Sequence, residues 1–256
     1  MTRDGQSPVV TDAGVTCHAC ERTFDRIGAH WVQTDCAWPA ISDRVWSLCR
    51  GLVLGDGTVR VDGSTPSLAV YVSRLPFIDW LDDELDWLST GTFEHRSAEA
   101  GARQARSAGH DATVADYAAI WGLRTRVHRR FDGLAEWYRR VDGRRRTVPP
   151  GRLTLGPLDV AVWYACDGSL HYDRRYPDSD PYATIGAQVY LEHHDPRTVR
   201  GWFADAPVTP VVDDGDGVVR FPVAETRALL EWAPVCPGYE HKWVVDDYAS
   251  YRRARP

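Results

Sequence analysis

Lysine is all but absent from this chain. Among 256 residues there is one, Lys242, so 29 of the 30 basic residues are Arg. Aspartate supplies 27 of the 36 acids, and the formal net charge is −6. Such a balance at first argues against a polyanionic partner. An Asp-rich, nearly Lys-free composition is also what high salt and a GC-rich genome produce together. Surface acids then serve mainly to hold water, and overall charge stops reporting on partners. Also missing is any apolar run approaching the ~18 residues of a membrane span. The opening MTRDGQSPVVTDAG is polar and acidic, unlike a secretory leader, so the chain is expected to be cytoplasmic. Six cysteines in that setting point to metal or buried thiols rather than disulfides.

What is present suits a folded protein. Hydrophobic residues make up 43% and there are eleven Trp, enough for one large domain or two plus a small module. Residues 1–14 read as a disordered tail, being polar with Gly, Ser and Pro and without apolar period. Cys17, Cys20, His30 and Cys36 then form a C-x2-C-x9-H-x5-C pattern, a soft ligand set for a tetrahedral structural Zn2+. His18 competes as the fourth ligand, and a short strand-turn with buried thiols is the plain alternative. The segment is too short for a core of its own, so metal would supply its folding energy.

One construction occurs twice. VAVWYACDGSL (Val160–Leu170) reads as an apolar helix running into Asp167-Gly168 and then a strand, with the glycine letting the chain turn. CRGLVLGDGTV (Cys49–Val59) repeats it around Asp56-Gly57. The earlier helix starts at a Ser42-Asp43 cap, and Gly51 and Gly55, four apart on one face, would let another helix backbone approach closely. TVRVDG and SLAVYVS read as a hairpin, and PFIDWLDDELDWL as a helix. Residues 97–115, Ala-, Gly- and Arg-rich with few aliphatics, read as a mobile loop. DYAAIWGLRTRV reads as a strand, and a helix is expected from about Arg130 to Arg140. After the linker Pro149-Pro150-Gly151 the pattern restarts: SLHYDR and ATIGAQVYLE as strands, DPRTVRGWFAD as a helix, VTPVVDDGDGVVRFP as a hairpin, and VAETRALLEWA as a helix. The expected fold is α+β, with a tail and zinc-finger-like module over 1–40 and two αββαββα halves over 41–148 and 149–256.

From about residue 43 to its end the chain resembles the single-chain, two-repeat LAGLIDADG homing endonucleases. The resemblance rests on the bridge TVPPGRLTLGPLDVAVWYACDGSL, on GLVLGDG, on WGLRTRVHRRFDGLAEWYRR, which looks like the end of a first repeat, and on the C-terminal PGYEHKW. A zinc module ahead of such a core is similar to archaeal, halophilic forms. The resemblance implies intron homing by a monomer that cuts a long asymmetric double-stranded DNA site. It implies two motif helices side by side, with Asp56 and Asp167 together beneath the DNA and Lys242 as the third catalytic group. Two four-stranded sheets would form a saddle in consecutive major grooves. Mg2+ on Asp56 and Asp167, with the backbone carbonyls of Gly55 and Cys166, would assist phosphodiester hydrolysis, as two facing carboxylates make best sense with a cation between them.

The sequence departs from that pattern at three places. Cys166 precedes the second acid, where relatives carry an acid or a small residue, and reads as a buried inert thiol. Arg50 replaces a small residue, so its side chain is expected to point away from the helix seam. No first-half Lys matches Lys242; Arg126 is the nearest. A chance leftover Lys is the plain alternative for Lys242 itself. Arg124, Arg126, Arg129, Arg130, Arg139, Arg140, Arg144, Arg145 and Arg146 crowd one stretch, either as a phosphate footprint or as a solvated basic face. Strand positions Arg60, Tyr71, Arg74, His171, Arg174, Gln188 and Tyr190 are the expected groove readers. The rival reading is a non-cleaving nucleic-acid binder of the same fold, an RNA maturase or a transcription regulator. Splicing-type termini are lacking, which favours a free-standing protein over an intein-embedded one.

Overall fold

Part of the expected N-terminal tail is ordered. In the computed structural model, which describes residues 7–141, 144–172, 180–186, 194–213 and 218–244, β1 (Val9–Thr11) pairs antiparallel with β2 (Gly14–Thr16). The β-branched Val9-Val10-Thr11 run suits a strand, and Gly14, at φ +120°, supplies a turn that a side chain would obstruct. Strand β3 (Thr23–Phe24) completes a three-stranded sheet, and α1 (Ile27–Gln33) follows. Helix α2 (Asp43–Leu54) begins where the Ser42 hydroxyl accepts from the Val45 amide at 3.2 Å, the cap expected there.

The chain divides into two units, Met1–Val45 with Thr58–Ala135, and Trp46–Gly57 with Glu136–Pro256. In the first, β4 (Gly57–Arg60), β5 (Ser67–Val72), β6 (Ser89–Arg96) and β7 (Ile120–Thr125) form a sheet of order β4-β5-β7-β6. Alternation sends Leu68, Val70, Val72 and Leu123 inward, where α3 (Leu75–Leu85) supplies Phe77, Ile78, Leu81 and Leu85. The N-terminal module shares a core with this unit. Buried Trp31 lies 5.7 Å from Trp38 and 5.8 Å from Trp87, ring to ring, and buried His128 is hydrogen-bonded to the Pro39 carbonyl at 3.0 Å.

Two expectations for this stretch need correction. Residues 97–115 are not a loop throughout. Ser97 caps a helix, α4 (Ala98–Ser107), whose small face of Gly101, Ala102 and Ala105 is buried, with Tyr117 against Gly101. Alanine is the best helix former and needs no aliphatic stripe to pack closely. The helix expected over 130–140 is a 3-10 turn (Arg129–Phe131) and one turn of α5 (Asp132–Ala135). Then comes a separate two-stranded ribbon, β8 (Tyr138–Val141) and β9 (Arg144–Thr147).

The second unit is built on α6 (Pro157–Asp167), buried from Leu158 through Ala165. Its sheet, β10 (Gly168–His171), β11 (Tyr182–Ile185), β12 (Val211–Asp213) and β13 (Val218–Phe221), has the order β10-β11-β13-β12, the same first-second-fourth-third pattern as in the first unit. Leu170, Ala183, Ile185, Val219 and Phe221 are buried hydrophobic residues of this sheet. Trp163 of α6 stacks on Phe203, which meets Phe221 edge-on at 5.5 Å. Helices α7 (Pro196–Gly201) and α8 (Val223–Trp232) lie where DPRTVRGWFAD and VAETRALLEWA suggested. The element order helix, strand, strand, helix, strand, strand, helix thus occurs from α2 and again from α6, α4 being an addition to the first. Among the described residues no helix is long and apolar enough to cross a membrane.

Candidate functional site

Helices α2 and α6 meet backbone to backbone. A Cβ on Gly51 would come within 2.6 Å of the Asp159 carbonyl, and one on Gly55 would overlap the Cys166 Cβ. The two glycines sit one turn apart on the seam, and their missing side chains set the approach. The glycines after the acids serve clearance rather than turning. Gly168 has an extended backbone (φ −80°, ψ 154°), and a side chain there would collide with Tyr164. At Gly57 it would lie 2.6 Å from the Leu52 carbonyl. Each acid-bearing helix therefore passes into its strand along its own last turn.

This packing gathers Asp56, Cys166, Asp167 and Lys242 in one place. Burial raises the Asp56 carboxyl above its ordinary range, opposed by the charge of Lys242 and by a hydrogen bond with the Cys166 side chain. The Cys166 thiol is pushed well up, by burial first and then by Asp56 and Asp167, with Lys242 opposing. Cys166 thus interacts with both acids, and it is half-buried rather than the buried thiol expected. Lys242 belongs to a 3-10 turn (Glu240–Trp243) held on several sides. The Tyr164 hydroxyl donates to its carbonyl at 2.9 Å, the Trp243 ring meets Tyr164 edge-on, and the Trp243 indole donates to Ala233. Its ammonium donates to the Ala165 carbonyl at 2.6 Å and lies 3.4 Å from those of Tyr164 and Cys166. A cation on the unpaired carbonyls of a helix C-terminus is favourably placed. Lys242 thus caps α6 while its charge reaches Asp56.

Arg50 does not avoid the seam. Its Nη2 donates to Asp159 Oδ2 at 2.8 Å, its Nε lies 2.7 Å from Oδ1, and its Nη1 donates to the Thr154 carbonyl at 3.2 Å. Asp159, fully buried, also accepts from the Gly156 amide at the start of α6. A carboxylate already needed at that helix start neutralises the guanidinium, so an Arg fits where a small residue was expected.

In the first unit, Cys17, Cys20, His30 and Cys36 place their ligand atoms within 4.8 Å of one another, and His18 is not in the group. Burial would raise the Cys17 thiol, but hydrogen bonds from Cys20, Ala19, His30 and Trp31 bring it down to about 6. Phe24 stacks on the His30 ring at 4.1 Å, fixing its orientation. Three sulfurs and an imidazole so arranged fit a structural zinc.

Opposite the core, each sheet carries aromatic and arginine side chains. On the first, Arg124 donates to the Tyr71 hydroxyl at 3.2 Å and lies over the Phe93 ring, and His95 packs on Tyr71 at 4.5 Å. Gly122 lies between Tyr71 and Phe93 in register, where a side chain would strike both rings. Arg60 stands on β4, paired with Asp62 at 2.6 Å. On the second sheet His171 stacks on Tyr182 at 4.9 Å and is hydrogen-bonded to Thr184, with Arg220 over Tyr182. Phe93, His95, Tyr182, Thr184 and Arg220 were not anticipated, although alternation from Tyr71 and His171 places them on those faces.

The other residues expected to contact DNA, Arg74 among the groove readers and Arg126, Arg129 and Arg130 in the basic stretch, lie off these strands. Arg74 lies past the end of β5, its carbonyl accepting from Ile78 as α3 opens. Arg126 turns inward onto the carbonyls of Trp87, at 2.5 Å, and Ser89, and burial lowers its proton affinity. Arg130 donates to the Ile41 carbonyl at 2.6 Å. Arg129 is exposed on its 3-10 turn. Arg174, Gln188 and Tyr190 lie outside the described residues.

No protein-family model matches the chain, and no curated protein matches it in sequence. In fold it is similar to the homing endonuclease I-WcaI, solved bound to its DNA recognition sequence, with a TM-score of 0.60 at 12% identity over 81% of this chain and 89% of that one. The chain has a homing endonuclease-like fold.

Proposed function

We propose that the chain is a site-specific double-stranded DNA endonuclease of the two-repeat LAGLIDADG type, with Asp56 and Asp167 as metal-holding acids and Lys242 as the third catalytic group. The observation that carries this reading is the convergence of both acids and the chain's only lysine on Cys166, at the ends of two helices packed as closely as glycine allows. The homing endonuclease-like fold supports it. So do the two sheet faces, whose stacked aromatics and arginines suit phosphate contact and base-edge readout.

In this reading the repeats occupy about 41–148 and 149–256, the sheets form a saddle on consecutive major grooves, and the 1–40 module carries a structural Zn2+ on Cys17, Cys20, His30 and Cys36. Two carboxylates suit Mg2+, which prefers oxygen and fills its remaining sites with waters and substrate phosphates. When bound there it supplies an activated water and offsets charge on the reacting oxygens. The chain's own contribution is positional. The glycine seam fixes the separation of the acids, and Cys166, half-buried, interacts with both of them. Lys242, held by Tyr164 and Trp243, presents a compact positive charge beside Asp56.

The test is selection of cleaved sites from a randomised duplex library, with Mg2+ titrated at low and high salt. Mg2+-dependent double-strand breaks at one long asymmetric sequence are expected. Cutting retained in both Asp56→Asn and Asp167→Asn would remove the site assignment. Specific binding with no cutting at any Mg2+ concentration would make the chain a non-cleaving nucleic-acid binder.

A further inference from the structure

We propose that the β8–β9 ribbon is a clamp on the phosphate backbone of duplex DNA, distinct from the faces of the two sheets; this deepens the nuclease reading and rests on it. The stretch Tyr138–Thr147, YRRVDGRRRT, holds five arginines and one aspartate. In a chain with 27 aspartates and a net charge of −6, that local excess is a departure from the rest of the surface.

The register sharpens the point. Arg139 stands directly opposite Arg146, and Arg140 directly opposite Arg145. Like charges across an antiparallel pair destabilise it, and a two-stranded ribbon has little stability to lose. A merely solvated face would place acids across from bases, as cross-strand pairing favours. The Arg139–Arg146 rung is what a polyanion would bridge, since each guanidinium can grip a phosphate through two parallel hydrogen bonds.

The ribbon is secured at its root. Trp137, Thr147 and Val148 are buried, and the Val148 amide donates to the Trp137 carbonyl at 2.6 Å. The Tyr138 hydroxyl donates to the Gly57 carbonyl at 3.0 Å, on the residue that follows Asp56. Arg139 remains exposed. The Arg139–Arg146 rung therefore adjoins a base tied to Gly57, the residue after Asp56, so a phosphate held there lies near the acids rather than at the far margins of the site.

The test measures binding of the full chain to a fluorescein-labelled random-sequence duplex, without added Mg2+, across a salt series. Arg139→Gln with Arg146→Gln should weaken binding severalfold and flatten the slope of log affinity on log salt by about 1.8, some 0.9 per phosphate contact. Arg139→Lys with Arg146→Lys should keep the parent slope. Arg139→Gln alone, at an exposed position, should remove about half of that change if the double variant folds poorly. An unchanged slope in a Gln variant that melts like the parent overturns the clamp while leaving the nuclease reading intact. A parent that binds no duplex DNA overturns both. A loss confined to duplex RNA also overturns the DNA clamp.

Discussion

Helices α2 and α6 end in the same Asp-Gly step, yet their surroundings differ. Helix α6 is buried along eight consecutive residues, whereas the buried residues of α2 begin only at Leu48. At the end of α6, the Lys242 ammonium sits on the last carbonyls. Just past α2, at the first residue of β4, the neutral Tyr138 hydroxyl meets the Gly57 carbonyl. Asp56 nevertheless feels Lys242, because the seam is tight enough for one cation to serve both helices. A repeated backbone motif thus does not imply repeated electrostatics. Where two ends lie this close, one charged group fixed on the more buried helix suffices, and the other copy is free to use a hydroxyl.

The largest effect that would break this comparison is on the acids. Asp56→Asn should reduce DNA cleavage by roughly a thousandfold, as loss of a charge-stabilising group at a reacting centre commonly does. The same change should raise the melting temperature. With the folded carboxyl held above the ordinary 3.8, the native chain binds more protons than the unfolded chain between 3.8 and the raised value. Stability therefore falls as pH climbs through that window. Thermal melts without added metal at neutral pH and near pH 3.8 check this: the variant should melt above the parent at neutral pH and converge with it in acid. A variant that melts lower at neutral pH would show that Asp56 is structural.

Next in size is the pair that ties the two helices together. Arg50→Met leaves the fully buried Asp159 without its guanidinium and should cost about 3–5 kcal/mol in urea unfolding. Replacing both, Arg50→Met with Asp159→Leu, should recover part of that loss, less the Gly156 cap. A single variant within 1 kcal/mol of the parent, inside the range of an exposed pair, would mean that the pair carries no weight in the seam.

How much of this was legible beforehand depended on whether the signal was local. The Cys-x2-Cys pair, the two Asp-Gly helix ends and the Gly51/Gly55 spacing lie within a few residues, and periodicity displays them. Helix α4 escaped because Ala, Gly and Arg give little apolar period although alanine favours helix strongly. Arg126 and Arg130 were expected to face outward as charges; each instead donates to backbone carbonyls, and no sequence pattern records where a carbonyl points. The partner of Arg50 lies 109 positions away. The fully buried Asp159 read only as a residue of an apolar helix, since long-range ion pairing leaves no local trace.

The smaller predictions concern the two helix ends directly. Lys242→Met removes a charged donor from the α6 carbonyls and should cost about 1.5–3 kcal/mol, the range for hydrogen bonds to charged groups. Lys242→Arg should restore less cleavage than stability, because a planar guanidinium spreads the compact charge that Asp56 faces. Equal recovery of both would mean that the role at this end is capping alone.

Tyr138→Phe is the counterpart just past the end of α2, at the start of β4. It deletes one neutral hydroxyl while keeping the ring, so urea unfolding should show a loss of about 0.5–1.5 kcal/mol. The gap between this value and that for Lys242→Met measures the asymmetry of the two ends. If the helices were equivalent in energy as they are in backbone, the two losses would agree. Because Tyr138 also roots the arginine ribbon, its loss should weaken duplex binding without changing the salt slope, since no charge is removed. A changed slope would show that the hydroxyl sets the aim of the arginines as well as the stability of the helix end.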